Sequence, residues 1–255
     1  MKKITLFLAC LALLATSCSK MESNEKKFAS EMLSEDYEKS TQAFNDFCHW
    51  LQNDKKTMTH DFKYMQEKLG MKVCTSPDSI LRSYSWVTGG SGGTETIYAN
   101  VFQWMVGDNL IAYCGPLDQL LAGRKADLKK HSSFAHSIDT IFEITSGKRP
   151  VYIIAQSYVD DSGMRRAYVS AASVNGIQLA LLPNLFDGLE IAGNNLFKDK
   201  GNTPIGQLFK WDQESRRFYA YQVDDDNNLI PGKYTVYELG EHQFTRLPDE
   251  PENKN

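Results

Sequence analysis

Three groups of residues in this sequence have types and spacings from which chemistry could be built. Gly89–Gly90–Ser91–Gly92–Gly93 satisfies G-x-S-x-G, the pattern in which a serine at a tight strand-to-helix turn becomes an acyl-transfer nucleophile. That chemistry needs a strand before the serine, a helix after it, an imidazole base and a carboxylate to orient the base. The strand-like run Ile80–Val87 precedes Ser91, and Asp187 and His242 come later in the order Ser, Asp, His. The stretch after the glycines, Thr94–Val106, is β-like in composition, and no parallel sheet is in prospect. We therefore expect a glycine-rich hairpin loop, with hydrolysis by Ser91 and His242 as the alternative. The loop has no Lys after its glycines, so it does not match a phosphate-binding P-loop.

The second group is Asp224–Asp225–Asp226–Asn227–Asn228. Oxygen ligands at Asp224, Asp226 and Asn228 alternate in the way a calcium loop requires, but Leu229 stands where an EF-hand has Gly, and no Glu closes the loop. A solvated hairpin turn is the expected reading. The third group is aromatic. Arg82, Tyr84 and Trp86 share one face of Ile80–Val87, and Tyr98, Phe102 and Trp104 share one face of Thr96–Val106. Tyr84, Trp86, Tyr98 and Trp104 are candidates for a platform that takes a sugar ring or peptide, against the competing expectation that they pack the core. His131 and His136 are five apart, the wrong spacing for a helical metal pair, and no metal or cofactor is implied.

Two kinds of element must position these groups. Leu33, Tyr37, Ser40, Phe44, Phe47 and Leu51 recur at steps of four and three, one face of a helix. Asn53–Asp54 interrupts the pattern; Met58, Phe62, Met65 and Leu69 resume it before Gly70, so residues 27–70 read as a helical hairpin. From Val73 the period becomes two. Strands are expected at Ile80–Val87, Thr96–Val106, Asn109–Tyr113, Ile138–Thr145, Val151–Val159, Arg165–Val174, Gly176–Leu182, Gln207–Trp211, Arg217–Val223, Lys233–Leu239 and Gln243–Leu247. Turn residues separate them, Asn175–Gly176 most clearly, and the short connections dictate antiparallel pairing. The stretch Gly115–Ser137 has no clear period and room for short helices at Leu117–Leu121 and Lys125–Lys130.

Phe142 and Tyr152 are ten apart, as are Phe209 and Tyr219; Tyr168 with Tyr234, and Ile177 with Phe244, extend a twofold pseudo-repeat. Each unit reads as a four-strand meander. The expected fold class is α+β: a helical hairpin, then an antiparallel β-meander, layered or propeller-like.

Composition narrows the function classes. Asp and Glu total 32 against 28 Lys and Arg, a net charge of −4, which argues against a nucleic-acid binder held by bulk positive charge. A single stretch is apolar enough to meet lipid. Met1–Lys2–Lys3 begins the chain, the apolar run Ile4–Ala15 comes next, and Thr16–Ser17 leads to Cys18. A charged start, a short apolar core and small residues make a secretory leader, and the run is too short to span a bilayer.

Leu14–Ala15–Thr16–Ser17–Cys18 resembles the lipobox of bacterial lipoproteins, with Ala15 where that family more often has Leu. The resemblance covers only the leader. It implies cleavage before Cys18, a lipid on Cys18 and, with Ser19 after it, delivery to the outer membrane. On this reading residues 1–17 are a leader, 18–26 a flexible tether, 27–70 the helical hairpin, 71–247 the β body and 248–255 a loose acidic tail. Loss of Lys2 and Lys3 takes the charge from −4 to −6, so the body is expected to stand off the membrane on its tether. Cys48, Cys74 and Cys114 remain, each read as a small buried hydrophobe; one internal disulfide is the alternative, with its partners undetermined. The expectation is a lipid-anchored envelope protein that binds a protein partner, glycan or peptide without catalysis.

Overall fold

The computed structural model describes residues 20–88, 98–115, 136–146, 149–159, 162–182, 185, 196–199, 202–241 and 243–248. It begins with a helix, α1, over 20–32. This corrects the expected tether. Polar residues dominate 18–26, but Met21, Glu25, Phe28 and Ala29 recur at helical spacing and all are buried. A carboxylate on the inward face disguised the stripe.

A break at Leu33–Asp36 separates α1 from α2 (Tyr37–Asn53). Asp36 causes it: its carboxylate accepts hydrogen bonds from the Glu38 and Lys39 amides, 2.9 and 3.2 Å, satisfying donors that the helix start leaves open. Leu33 and Tyr37, expected on the buried stripe, are therefore outside it, at 58% and 66% exposure. Asp54 ends α2 and caps a single 3₁₀ turn, Lys55–Met58. Helix α3 (Lys63–Leu69) then stops at Gly70, whose φ of 62° suits a residue without Cβ.

Among the described residues, thirteen strands form three antiparallel sheets, each built on a meander. Sheet A has the order β1 (Lys72–Thr75), β2 (Leu81–Val87), β3 (Tyr98–Val106), β4 (Asn109–Cys114). Sheet B runs β5 (Ser137–Ser146), β6 (Arg149–Val159), β7 (Met164–Asn175), β8 (Gln178–Leu181), and β9 (Leu196–Lys198) also pairs with β7. Sheet C is β10 (Phe209–Asp212), β11 (Arg217–Val223), β12 (Leu229–Leu239), β13 (Phe244–Arg246). A short helix, α4 (Ile205–Leu208), takes the first half of the expected strand Gln207–Trp211. Asn175 pairs with Gln178, so the loop is Gly176–Ile177. Ile177, expected on the closing strand, instead lies at the loop tip with 71% exposure.

Three cores hold the layers together in one sequence: helices, A, B, C. Phe47, Trp50, Phe62 and Met65 of the helices meet Tyr84, Trp86 and Val101 of sheet A. Leu81, Phe102 and Trp104 on the other face of sheet A meet Ile138, Tyr152 and Ile154 of sheet B. Ile153, Ala155 and Ala167 on the far face of sheet B meet Phe209, Phe218, Tyr237 and Phe244 of sheet C. The architecture is layered, and among the described residues no sheet closes on itself.

Sheet A is thus covered on both faces, and six of the seven residues of β2 are buried. Its polar side chains must find partners inside. Gln103 donates to Thr57 Oγ1 at 2.7 Å and to the Leu51 carbonyl, and Tyr84 donates to Gln103 Oε1 at 2.6 Å. Arg82 donates to the carbonyls of Thr57, Met58 and His60. These bonds clamp the end of α2 and the 3₁₀ turn to the sheet, and a disulfide between Cys48 of α2 and Cys114 of β4 adds a covalent tie. The pairing that sequence left open is settled, and among the described cysteines Cys74 is the free thiol.

Candidate functional site

The residues singled out from sequence do not converge. Cys18, Ser91, Asp187 and His242 lie outside the described residues, as do the candidate helices of 117–130 and positions 249–255 of the expected tail. Tyr84 and Trp86 (0% and 4% exposed) face the helices, while Trp104 (1%) faces sheet B. This corrects the platform: sheet A is an inner layer, so three of its four aromatics are core and lie on opposite faces. Asp224 accepts from the Asp226 and Asn228 amides at 3.0 and 2.8 Å, and Asn228 Nδ2 donates to both of its carboxylate oxygens. Its oxygens close the β11–β12 turn, and those bonds hold its carboxyl below the ordinary range. Among the described residues no cluster of His, Cys, Asp or Glu has metal-binding geometry.

Tyr98, the fourth aromatic, leads elsewhere. It begins β3 on the face turned toward sheet B, and it is half-buried. Burial pushes its hydroxyl pKa up, the charge of Asp139 adds to that, and Arg165 opposes it. Around Tyr98 the start of β5, the end of β6 and the start of β7 bring together a polar corner.

Asp139 owes its position to a β-bulge. Ile138 pairs with Gln156 and Thr140 with Ala155, leaving Asp139 without an opposite residue. A bulge re-aims a side chain that strict alternation would place elsewhere. The Asp139 side chain, 4% exposed, pairs with Lys72 of β1 at 2.5 Å and with Arg165 at 3.6 Å. Ser137 donates to it at 3.0 Å, and the Ser157 hydroxyl donates to its other oxygen.

Arg165, also 4% exposed, is held from both sides. It donates to Ser157 Oγ at 3.1 Å, the Thr203 carbonyl at 2.7 Å and Asp199 at 3.3 Å. Burial acts first on Asp199 and would raise its pKa. The amides of Thr203 and Asn202, the Thr203 hydroxyl and Arg165 together outweigh burial and hold the carboxyl below its ordinary range. The network is internally paired, as a buried charge requires.

On the opposite face of β6 and β7 from Ser157 and Arg165 lies an aromatic group. The His136 ring stacks on Tyr158 at a centroid distance of 4.5 Å and 18° between planes, and meets the Tyr168 ring edge-on at 5.4 Å. His136 Nδ1 is hydrogen-bonded to the Tyr168 hydroxyl. Asn100 donates through Nδ2 to the His136 carbonyl at 2.9 Å, while its buried Oδ1 has no hydrogen-bond partner among the described residues. Tyr98, His136, Tyr158 and Tyr168 all keep partial exposure. The arrangement can present aromatic faces with polar tips.

Sequence reasoning passed over Asp139, Ser157, Tyr158 and Arg165, and treated His136 only as half of a failed metal pair. A signal existed at Asp139. Ile138, Ile141 and Ile144 are all buried but three apart, a slip from the period of two that marks a bulge. Compared with known proteins, the chain matches no family model and no curated relative.

Proposed function

We propose that this chain is an exported, lipid-anchored binding module of the cell envelope. Its contact for a glycan or peptide is the corner formed by Tyr98, Asn100, His136, Tyr158 and Tyr168. The observation that carries the compartment is the Cys48–Cys114 disulfide, because such bonds persist outside the reducing cytoplasm. It agrees with the leader and Cys18, which would place the anchor in the outer membrane. The corner supports binding rather than catalysis: the Arg165, Asp139 and Ser157 side chains are engaged with one another, while the partly exposed rings of His136, Tyr158 and Tyr168 pack against each other.

The layered meander is, on this reading, a twofold pseudo-repeat in sheets B and C. Phe142 pairs with Ile153 and Phe209 with Ala220, the same register in the two first hairpins. The second hairpins differ, Tyr152 pairing with Ala172 and Tyr219 with Val236.

The test has two arms. Cys18→Ala should move the protein from the membrane fraction to the soluble fraction, and an unchanged distribution refutes the anchor. Tyr158→Ala should abolish binding to whichever oligosaccharide or peptide the wild type retains on an array, with the fold intact by circular dichroism. Retained binding refutes the corner.

A further inference from the structure

We propose that the helical layer is a bilayer-facing surface, and that the anchored protein stands on the membrane with sheets A, B and C stacked away from it. The proposal rests on the lipid-anchor reading of Cys18. The described part of helix α1 starts at Lys20, two residues after that cysteine, and two peptide units reach about 7 Å at most. No long linker separates the lipid from the folded body.

Helix α1 is not free to act as a linker either. Its Phe28 ring packs on Trp50 and Phe47 of α2 at 5.4 and 5.9 Å, and Met21 and Ala29 lie in the same core. Glu25, with its side chain 3% exposed, accepts from the Met65 amide at 2.8 Å and contacts His60 Nε2 at 2.9 Å. Undocking α1 would strip a buried carboxylate of both partners and expose an aromatic. The anchor is therefore coupled rigidly to α2 and α3.

The exposed side of this layer suits phospholipid headgroups. Lys20, Lys26 and Lys27 on α1, with Lys63 and Lys68 on α3, are exposed. The ammonium groups of Lys26 and Lys68 each lie 5.9 Å from the ring centroid of half-buried Tyr64. Long cationic side chains around a tyrosine keep apolar stems low and polar tips wet, as the headgroup layer demands. Glu22, Glu31 and Glu67 share these helices, and Glu22 pairs with Lys26. Attraction for anionic lipid is thus weak, and the docked anchor, rather than charge, imposes the contact. Packed layers are about 10 Å apart, so the β11–β12 turn at Asp226 stands roughly 30 Å from the helices.

The experiment uses the lipidated mature protein in vesicles of phosphatidylcholine and phosphatidylglycerol that carry a headgroup nitroxide quencher. A Cys74→Ser background receives a fluorophore through Lys68→Cys or Asp226→Cys. Quenching should be several-fold stronger at 68 than at 226, and a long Gly/Ser linker inserted between Ser19 and Lys20 should erase the difference while the protein still floats with the vesicles. Equal quenching at the two positions without the linker overturns the proposal. An unchanged difference with the linker overturns the role given to α1. A protein that never floats refutes the lipid anchor itself and the orientation with it, and flotation reports that failure separately.

Discussion

Replacing Arg165 with Met removes the guanidinium that bridges Asp139 and Asp199 while keeping a side chain of similar length. Both carboxylates are buried, 4% and 8% exposed, and both contacts are close, at 3.6 and 3.3 Å. Breaking a buried pair by deleting one partner costs about 3–5 kcal/mol, because the remaining charge stays out of water. The lower end applies here. Asp139 keeps Lys72 and two serine hydroxyls, and Asp199 keeps the amides of Asn202 and Thr203. We expect a loss of about 3 kcal/mol, seen as a fall of roughly 6–12 °C in Tm for a chain of this size. Arg217→Ala is the control: its pair with Glu238 at 3.2 Å is 42% and 47% exposed, and such pairs contribute about 0–1 kcal/mol. Urea melts of the two variants against wild type decide the matter. If Arg165→Met loses no more than Arg217→Ala, the corner is not a tightly paired electrostatic scaffold, and the reasoning from burial fails.

The same geometry sets further expectations. Phe47→Ala removes a fully buried ring that contacts Phe28, Trp50, Phe62, Tyr84 and Trp86, and should cost about 3–5 kcal/mol in a urea melt; a loss below about 1 kcal/mol contradicts the packing. Changing Cys48 and Cys114 both to Ser opens a 66-residue closure, with an expected loss of about 2–4 kcal/mol that reductant reproduces in the wild type. Because the folded pKa of Asp199 lies below its unfolded value, its contribution is present above the unfolded carboxylate range near 4 and is lost as pH falls through the lowered folded value. Asp199→Asn should therefore flatten the acid limb of a stability–pH curve relative to wild type, and parallel limbs argue against it. With its Asp224 oxygens engaged by the turn, the β11–β12 loop predicts a Tm that chelator leaves unchanged; a clear fall would restore the calcium reading.

Strands were the most legible part of the sequence, because alternation survives wherever one face differs from the other. Arg217–Val223 has the bounds its pattern implies, and β2, β3 and β4 differ from theirs by two residues at most. Helix α1 was illegible for the opposite reason: Glu25 stands on its buried face, satisfied by His60 and Met65, and a one-dimensional pattern counts it as outward. β1 and β9 are too short to show a period. The candidate site was least legible of all. Asp139, Ser157 and Arg165 are ordinary polar residues on expected strands, and only a bulge and the pairing of β5 with β6 and β6 with β7 make them neighbours.

By itself, then, the sequence determined the order of elements, helices before an antiparallel meander, since local periodicity and turn residues act over a few positions. It also carries the expectation of a leader that ends at Cys18, an expectation that depends on adjacent residues alone. Tertiary structure decided which faces are covered. Because sheets A and B are sandwiched, Tyr84, Trp86 and Trp104 became core instead of a platform, and buried Arg82, Gln103 and Arg165 had to find partners on other elements. It likewise chose Cys48 and Cys114 over Cys74 by bringing α2 against β4, a contact between positions 66 residues apart that no local rule encodes.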